Sequence, residues 1–145
     1  MDYFYDFYTN VIYNCSYSKN IINVMKFYHN PKCSKSRQAK QILDQNNIDY
    51  EIHLYLDKPL SKDQVIVLLQ KLKLSIRDII RTKENIWKEN FSDKEFTEAE
   101  LIEIVVANPG LLERPIIENG DFAVVARSDE KIQQILNTYY FYVSI

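Results

Sequence analysis

The chain has 145 residues, 46% hydrophobic and 26% charged, which suits one domain with a proper core and excludes global disorder. Its formal charge of −2 excludes broad attraction to nucleic acid or to an anionic membrane, so any electropositive feature must be local. No apolar run approaches the roughly 18 residues of a membrane-spanning helix.

Residues 1–24 are rich in Tyr, Asn and Ser, hold no steady period, and read first as an N-terminal extension ahead of a domain at 25–136, the rival being a strand that packs on that domain. The opening stretch carries Asp2 and Asp6 without a basic residue, unlike a secretory signal. Two cysteines, Cys15 and Cys33, suit a reducing compartment, and a cytoplasmic location is expected.

Residues 22–28 predict a buried strand, stopped by Asn30-Pro31. Residues 34–47 predict a helix capped by Ser34 or Ser36, with Ala39, Ile42 and Leu43 facing the core. Residues 50–56 alternate with period two, which predicts a second strand with Tyr50, Ile52, Leu54 and Leu56 on one face. Ser61 caps a helix beyond it, 75–81 is a short helical turn, and 83–96 is a polar, loosely helical connection. Thr97 with Glu100 is a capping-box pattern that opens a helix ending at Asn108-Pro109-Gly110. Two apolar runs around Asn119-Gly120 predict a hairpin with both turn residues at positive φ, and Ser128 starts a last helix. Residues 137–145 form a tail, and "TYYFYVSI" at 138–145 is apolar enough for another strand that pairs with the N-terminal segment, the alternative being that both ends are disordered or mediate self-association. The order β-α-β, helical segment, β-β-α predicts an α/β fold: a thioredoxin-like mixed sheet with inserted helices. A ferredoxin-like sandwich is the competing arrangement.

The chemistry concentrates in "HNPKCSKSR", residues 29–37. Cys33 stands between a predicted strand and a predicted helix, where unpartnered N–H groups and the positive end of the helix dipole favour a thiolate. Lys32, Lys35, Arg37 and His29 add positive charge nearby, and Ser36 can offer its hydroxyl to the sulfur. The same geometry binds oxyanions. The bland alternative is a small buried hydrophobe, but the polar residues on both sides of Cys33 leave it few apolar partners in sequence. Position 36 is Ser, so there is no Cys-x-x-Cys pair, and an oxidised Cys33 needs an outside thiol.

This loop resembles the active-site pattern His-Asn-Pro-x-Cys-x-x-Ser-Arg of the glutaredoxin-coupled arsenate reductases. "SIRDIIR", "ERPII" and "VVARSDE" resemble, in the right order, the family segments that carry its three anion-binding arginines. The resemblance covers about residues 25–136. It implies Cys33 as nucleophile, Arg81, Arg114 and Arg127 as oxyanion ligands, and Pro115 as a cis-proline, with His29, Ser36 and Arg37 in support. It further implies arsenate or a similar oxyanion as substrate, glutathione as co-substrate, glutaredoxin as partner, and no bound cofactor or metal. Two departures stand out: Glu113 where the family has Asn, and Ser128 where it often has Pro. Other functions compatible with the residues are a redox-responsive transcription regulator of the Spx type, which binds RNA polymerase, and a thiol oxidoreductase with another substrate.

Overall fold

The computed structural model describes residues 24–144, so Cys15 and most of the N-terminal extension lie outside the described residues. In chain order the elements are β1 (Met25–Tyr28), α1 (Ser34–Gln45), β2 (Tyr50–His53) and α2 (Lys62–Leu72). A 3-10 turn (Ile76–Ile79), α3 (Asn85–Asn90), α4 (Glu98–Ala107) and a second 3-10 turn (Pro109–Leu111) follow. The chain then forms β3 (Ile116–Asn119), β4 (Phe122–Val125) and α5 (Asp129–Val143). The sheet order is β2-β1-β3-β4, with β1 parallel to β2 and antiparallel to β3, and β3 antiparallel to β4. This is the mixed sheet expected from the element order.

Strand alternation sends side chains to two separate cores. Met25, Phe27, Ile117 and Val124 pack with Ala39 and Leu43 of α1 and Ile132, Ile135 and Leu136 of α5. Tyr28, Ile116 and Ala123 face the other way, onto Val65 and Leu68 of α2 and Leu101 and Val105 of α4. Full burial of each large side chain contributes about 1.5–3 kcal/mol, so the central strands β1 and β3 are held from both faces. Helix starts follow the sequence signals: Ser61 with Gln64 and Thr97 with Glu100 form complete capping boxes, and the Ser128 hydroxyl accepts from the Lys131 N–H. In the polar connection, the rings of Trp87, Phe91 and Phe96 cluster and pack on the α2–α4 core.

Three expectations are corrected. The second strand ends at His53, and Ile52, Leu54 and Leu56 are exposed while Tyr55 is buried. β2 is an edge strand with one covered side, and the chain turns after it, so the period-two stripe does not mark the core there. The hairpin turn is Gly120-Asp121, because Asn119 still pairs with Phe122, and among the two only Gly120 takes a positive φ, 59°. Residues 138–143 are helical, since α5 runs on through the boundary placed at 136/137. The reason is periodic: Ile132, Ile135, Leu136 and Tyr139 continue one apolar stripe at helical spacing against the α1-side core.

Candidate active site

β1 delivers the chain to a loop that its own hydrogen bonds make rigid. The Asn30 carbonyl accepts from the Cys33 N–H at 3.0 Å, and the Asn30 side-chain oxygen accepts from the Lys32 N–H at 3.0 Å. Ser36 is fully buried; its hydroxyl accepts from the Asn30 N–H at 3.0 Å and lies 2.6 Å from His29 Nδ1. Arg37 Nη1 reaches back to the Pro31 carbonyl at 2.9 Å. His29 stacks on Phe27, with ring centroids 4.9 Å apart. Burial, aided by Lys40 and Arg37, lowers the His29 pKa, which favours a neutral ring at neutral pH.

Cys33 is the N-cap of α1 and makes no side-chain capping bond, so neither Ser34 nor Ser36 holds the role expected of it. A sulfur at this position faces the first free N–H groups of the helix. Burial raises the Cys33 pKa, but the Ser36 N–H, the Arg114 guanidinium and the Lys35 N–H outweigh it, and the net shift is downward. Ser36 therefore acts on the sulfur through its backbone, while its hydroxyl belongs to His29 and Asn30. Two basic side chains of the loop point elsewhere: Arg37 to Pro31, and Lys35 toward Gln38 at 3.5 Å. The cation that acts on the sulfur, Arg114, comes from a distant part of the chain.

Arg114 precedes Pro115 across a cis peptide bond, and the Pro115 carbonyl accepts from the Ala126 N–H at 2.8 Å. A single bridge between Ile80 and Leu112, flanked by Arg81 N–H to Leu111 carbonyl and Glu113 N–H to Ile79 carbonyl, both 2.8 Å, brings Arg81 alongside. Arg81 pairs with Glu84 at 2.7 Å and approaches Glu113 at 3.8 Å. Arg127 donates to Glu113 at 2.8 Å. Glu113 thus gathers Arg81 and Arg127, and its covalent neighbour Arg114 faces Cys33. The three arginines come together in two groups: one beside the sulfur, two around a carboxylate.

Sequence reasoning missed two residues here. Tyr55 is 1% exposed and lies beside Arg114, Cys33 and Asn30. Its only trace in the sequence is an aromatic out of step with the stripe of 50–56. Glu84 was hidden in a polar segment, three residues beyond Arg81. Among the described residues, the buried side-chain nitrogens and oxygens without a hydrogen-bond partner are Tyr55 Oη, Arg81 Nη1 and Arg114 Nε. All three carry N–H or O–H, so an acceptor with several oxygens would satisfy them.

Residues 28–135 match the family model described as ArsC family. The chain belongs to the ArsC family. An uncharacterised Escherichia coli K12 protein, YfgD, is 39% identical over 114 residues, covering 77% of this chain and 96% of YfgD. A Haemophilus influenzae protein named arsenate reductase is 37% identical, covering 75% of this chain and 96% of its own. Among solved structures, a putative arsenate reductase from Yersinia pestis superposes with a TM-score of 0.69 at 36% identity, covering 78% and 98%. An arsenate reductase from Vibrio cholerae gives 0.68 at 34%, covering 79% and 98%. The thioredoxin-like expectation for the fold is borne out by these ArsC neighbours.

Proposed function

We propose that this protein reduces arsenate, or an oxyanion of the same shape and charge, with Cys33 as nucleophile. The observation that carries the proposal is the meeting, at one helix start, of the Cys33 sulfur, its pKa lowered, and a half-buried arginine whose buried Nε has no partner. The names of the Haemophilus influenzae and Vibrio cholerae relatives supply the substrate class.

The Cys33 thiolate attacks arsenic, a sulfur–arsenic bond forms, and one arsenate oxygen leaves as water after protonation. Arg114 holds the oxyanion against the sulfur, and Arg81 and Arg127 form the outer wall of the site. Glutathione then attacks the Cys33 sulfur, and the electron pair of the sulfur–arsenic bond departs with arsenic. Arsenic falls from the +5 to the +3 state and leaves as arsenite, while the two sulfurs are joined as a mixed disulfide. Glutaredoxin attacks the glutathione sulfur and frees Cys33. Cys33 is the one cysteine among the described residues, and it is free, which suits an external thiol as the resolving partner.

The test is arsenate-dependent NADPH consumption in the presence of glutathione, glutathione reductase and glutaredoxin. Cys33→Ser should abolish it. Arsenate-dependent turnover that survives this change would remove Cys33 from the mechanism. Replacing glutathione and glutaredoxin by thioredoxin and its reductase, with undiminished turnover, would overturn the glutathione assignment alone.

A further inference from the structure

We propose that Tyr55 is an oxyanion ligand of this site, donating its phenol hydrogen to an oxygen of the bound anion beside Arg114. This rests on the reading of the site as an oxyanion pocket, and it adds a neutral donor to the charged ones. Tyr55 belongs to the α2–α4 core, where its ring packs with Leu60 and Val65, and a phenylalanine would serve that packing equally well. A buried hydroxyl with no partner is disfavoured by about 1–3 kcal/mol relative to one that is satisfied. The Tyr55 hydroxyl has no partner within hydrogen-bond geometry, and its polar neighbours Asn30 and Arg114 bear on the oxygen as donors, which leaves its hydrogen without an acceptor.

Those neighbours explain what is missing. Arg114 can only donate, and the Asn30 side-chain oxygen already accepts from the Lys32 N–H. The sulfur of Cys33 bears on the hydroxyl electrostatically without forming a hydrogen bond to it. The unfilled partner is an acceptor that also satisfies the Arg114 Nε–H, and a tetrahedral oxyanion carries several acceptor oxygens to offer such donors. Burial raises the Tyr55 pKa, against the opposing pull of Arg114, so the phenol keeps its proton at neutral pH. A neutral donor stabilises anion charge without adding a cation that would compete for the Glu113 carboxylate.

The experiment compares wild type with Tyr55→Phe, which keeps the ring and removes the hydroxyl. The readout is protection of Cys33 from iodoacetamide by arsenate and, separately, by phosphate, with no glutathione or glutaredoxin present. The expected result is about tenfold weaker protection by both anions in the variant, each constant referred to that protein's own alkylation rate without anion. The rise in unfolding midpoint caused by phosphate should shrink in parallel, which measures the same binding if the variant's basal stability shifts. Equal protection constants in the two proteins would overturn the proposal, as would a wild type that neither anion protects. Hydroxyl-dependent protection in a protein that does not turn over arsenate would leave Tyr55 as an oxyanion ligand and sink the arsenate assignment instead.

Discussion

Arg114 and Arg127 flank the β3–β4 hairpin at its open end, yet their electrostatic situations are opposite. Arg127 is 46% exposed and is answered by a carboxylate at 2.8 Å, with the same Glu113 also turned toward Arg81. Arg114 keeps a buried Nε–H without a partner and lies against the sulfur. An arginine matched by an internal carboxylate presents little net charge to a ligand, whereas an unmatched buried one presents nearly all of it. Residue type alone therefore does not rank the three arginines as anion ligands; their existing partners do.

Breaking the unmatched half should give the largest effect. Arg114→Ala removes both the main ligand proposed for the anion and a cation that favours the thiolate. Steady-state kinetics should show the KM for arsenate raised on the order of 100-fold, in line with loss of a charge-assisted bidentate contact. The pH profile of Cys33 alkylation should move upward at the same time. The sign follows from the lowered Cys33 pKa. Folding favours the thiolate, so its stabilising contribution is complete above the ordinary thiol value and is lost as pH falls through the lowered one. In Arg114→Ala that pH dependence of the unfolding midpoint should shrink.

Sharpening the contrast calls for the other half. Glu113→Gln leaves the shape of the site and removes the carboxylate that Arg81 and Arg127 share. Affinity for arsenate and phosphate should improve about tenfold, read as a lower KM and a lower protection constant. Unchanged constants would mean that the Glu113 pairs lie outside the ligand's field. The smallest effect is expected of Arg127→Ala, where exposure and an existing ion pair limit what is lost. Its arsenate KM should rise by less than about threefold, since exposed pairs contribute only about 0–1 kcal/mol.

Much of the fold was legible because it rests on local periodicity and caps. Thr97 with Glu100, Ser61 before α2, Ser128 before α5, and the breaker at Asn108-Pro109 each act within a few residues of themselves. Where a second element decides burial, local reading failed. Tyr55 is buried and Leu54 exposed because β2 is an edge strand whose following turn packs against α2, which no alternation within 50–56 contains. The tail at 138–143 misled for a related reason, since its aromatics suit a strand until the stripe from Ile132 is extended into it.

The same division runs through the site. The sequence by itself determined where the sulfur would be: a cysteine directly after a strand and directly before a helix meets free N–H groups wherever that helix folds. Only the tertiary structure decided which charges the sulfur meets. Lys35, close to it in sequence, turns toward Gln38, and Arg114 arrives because β3 pairs antiparallel to β1 and sets its leading residue at that end of the sheet. Helix termini act over one turn of chain, whereas ion pairs act through space. The partners of Arg81, Arg114 and Arg127 are therefore properties of the sheet order and of the short bridge at Ile80–Leu112, not of the neighbouring residues.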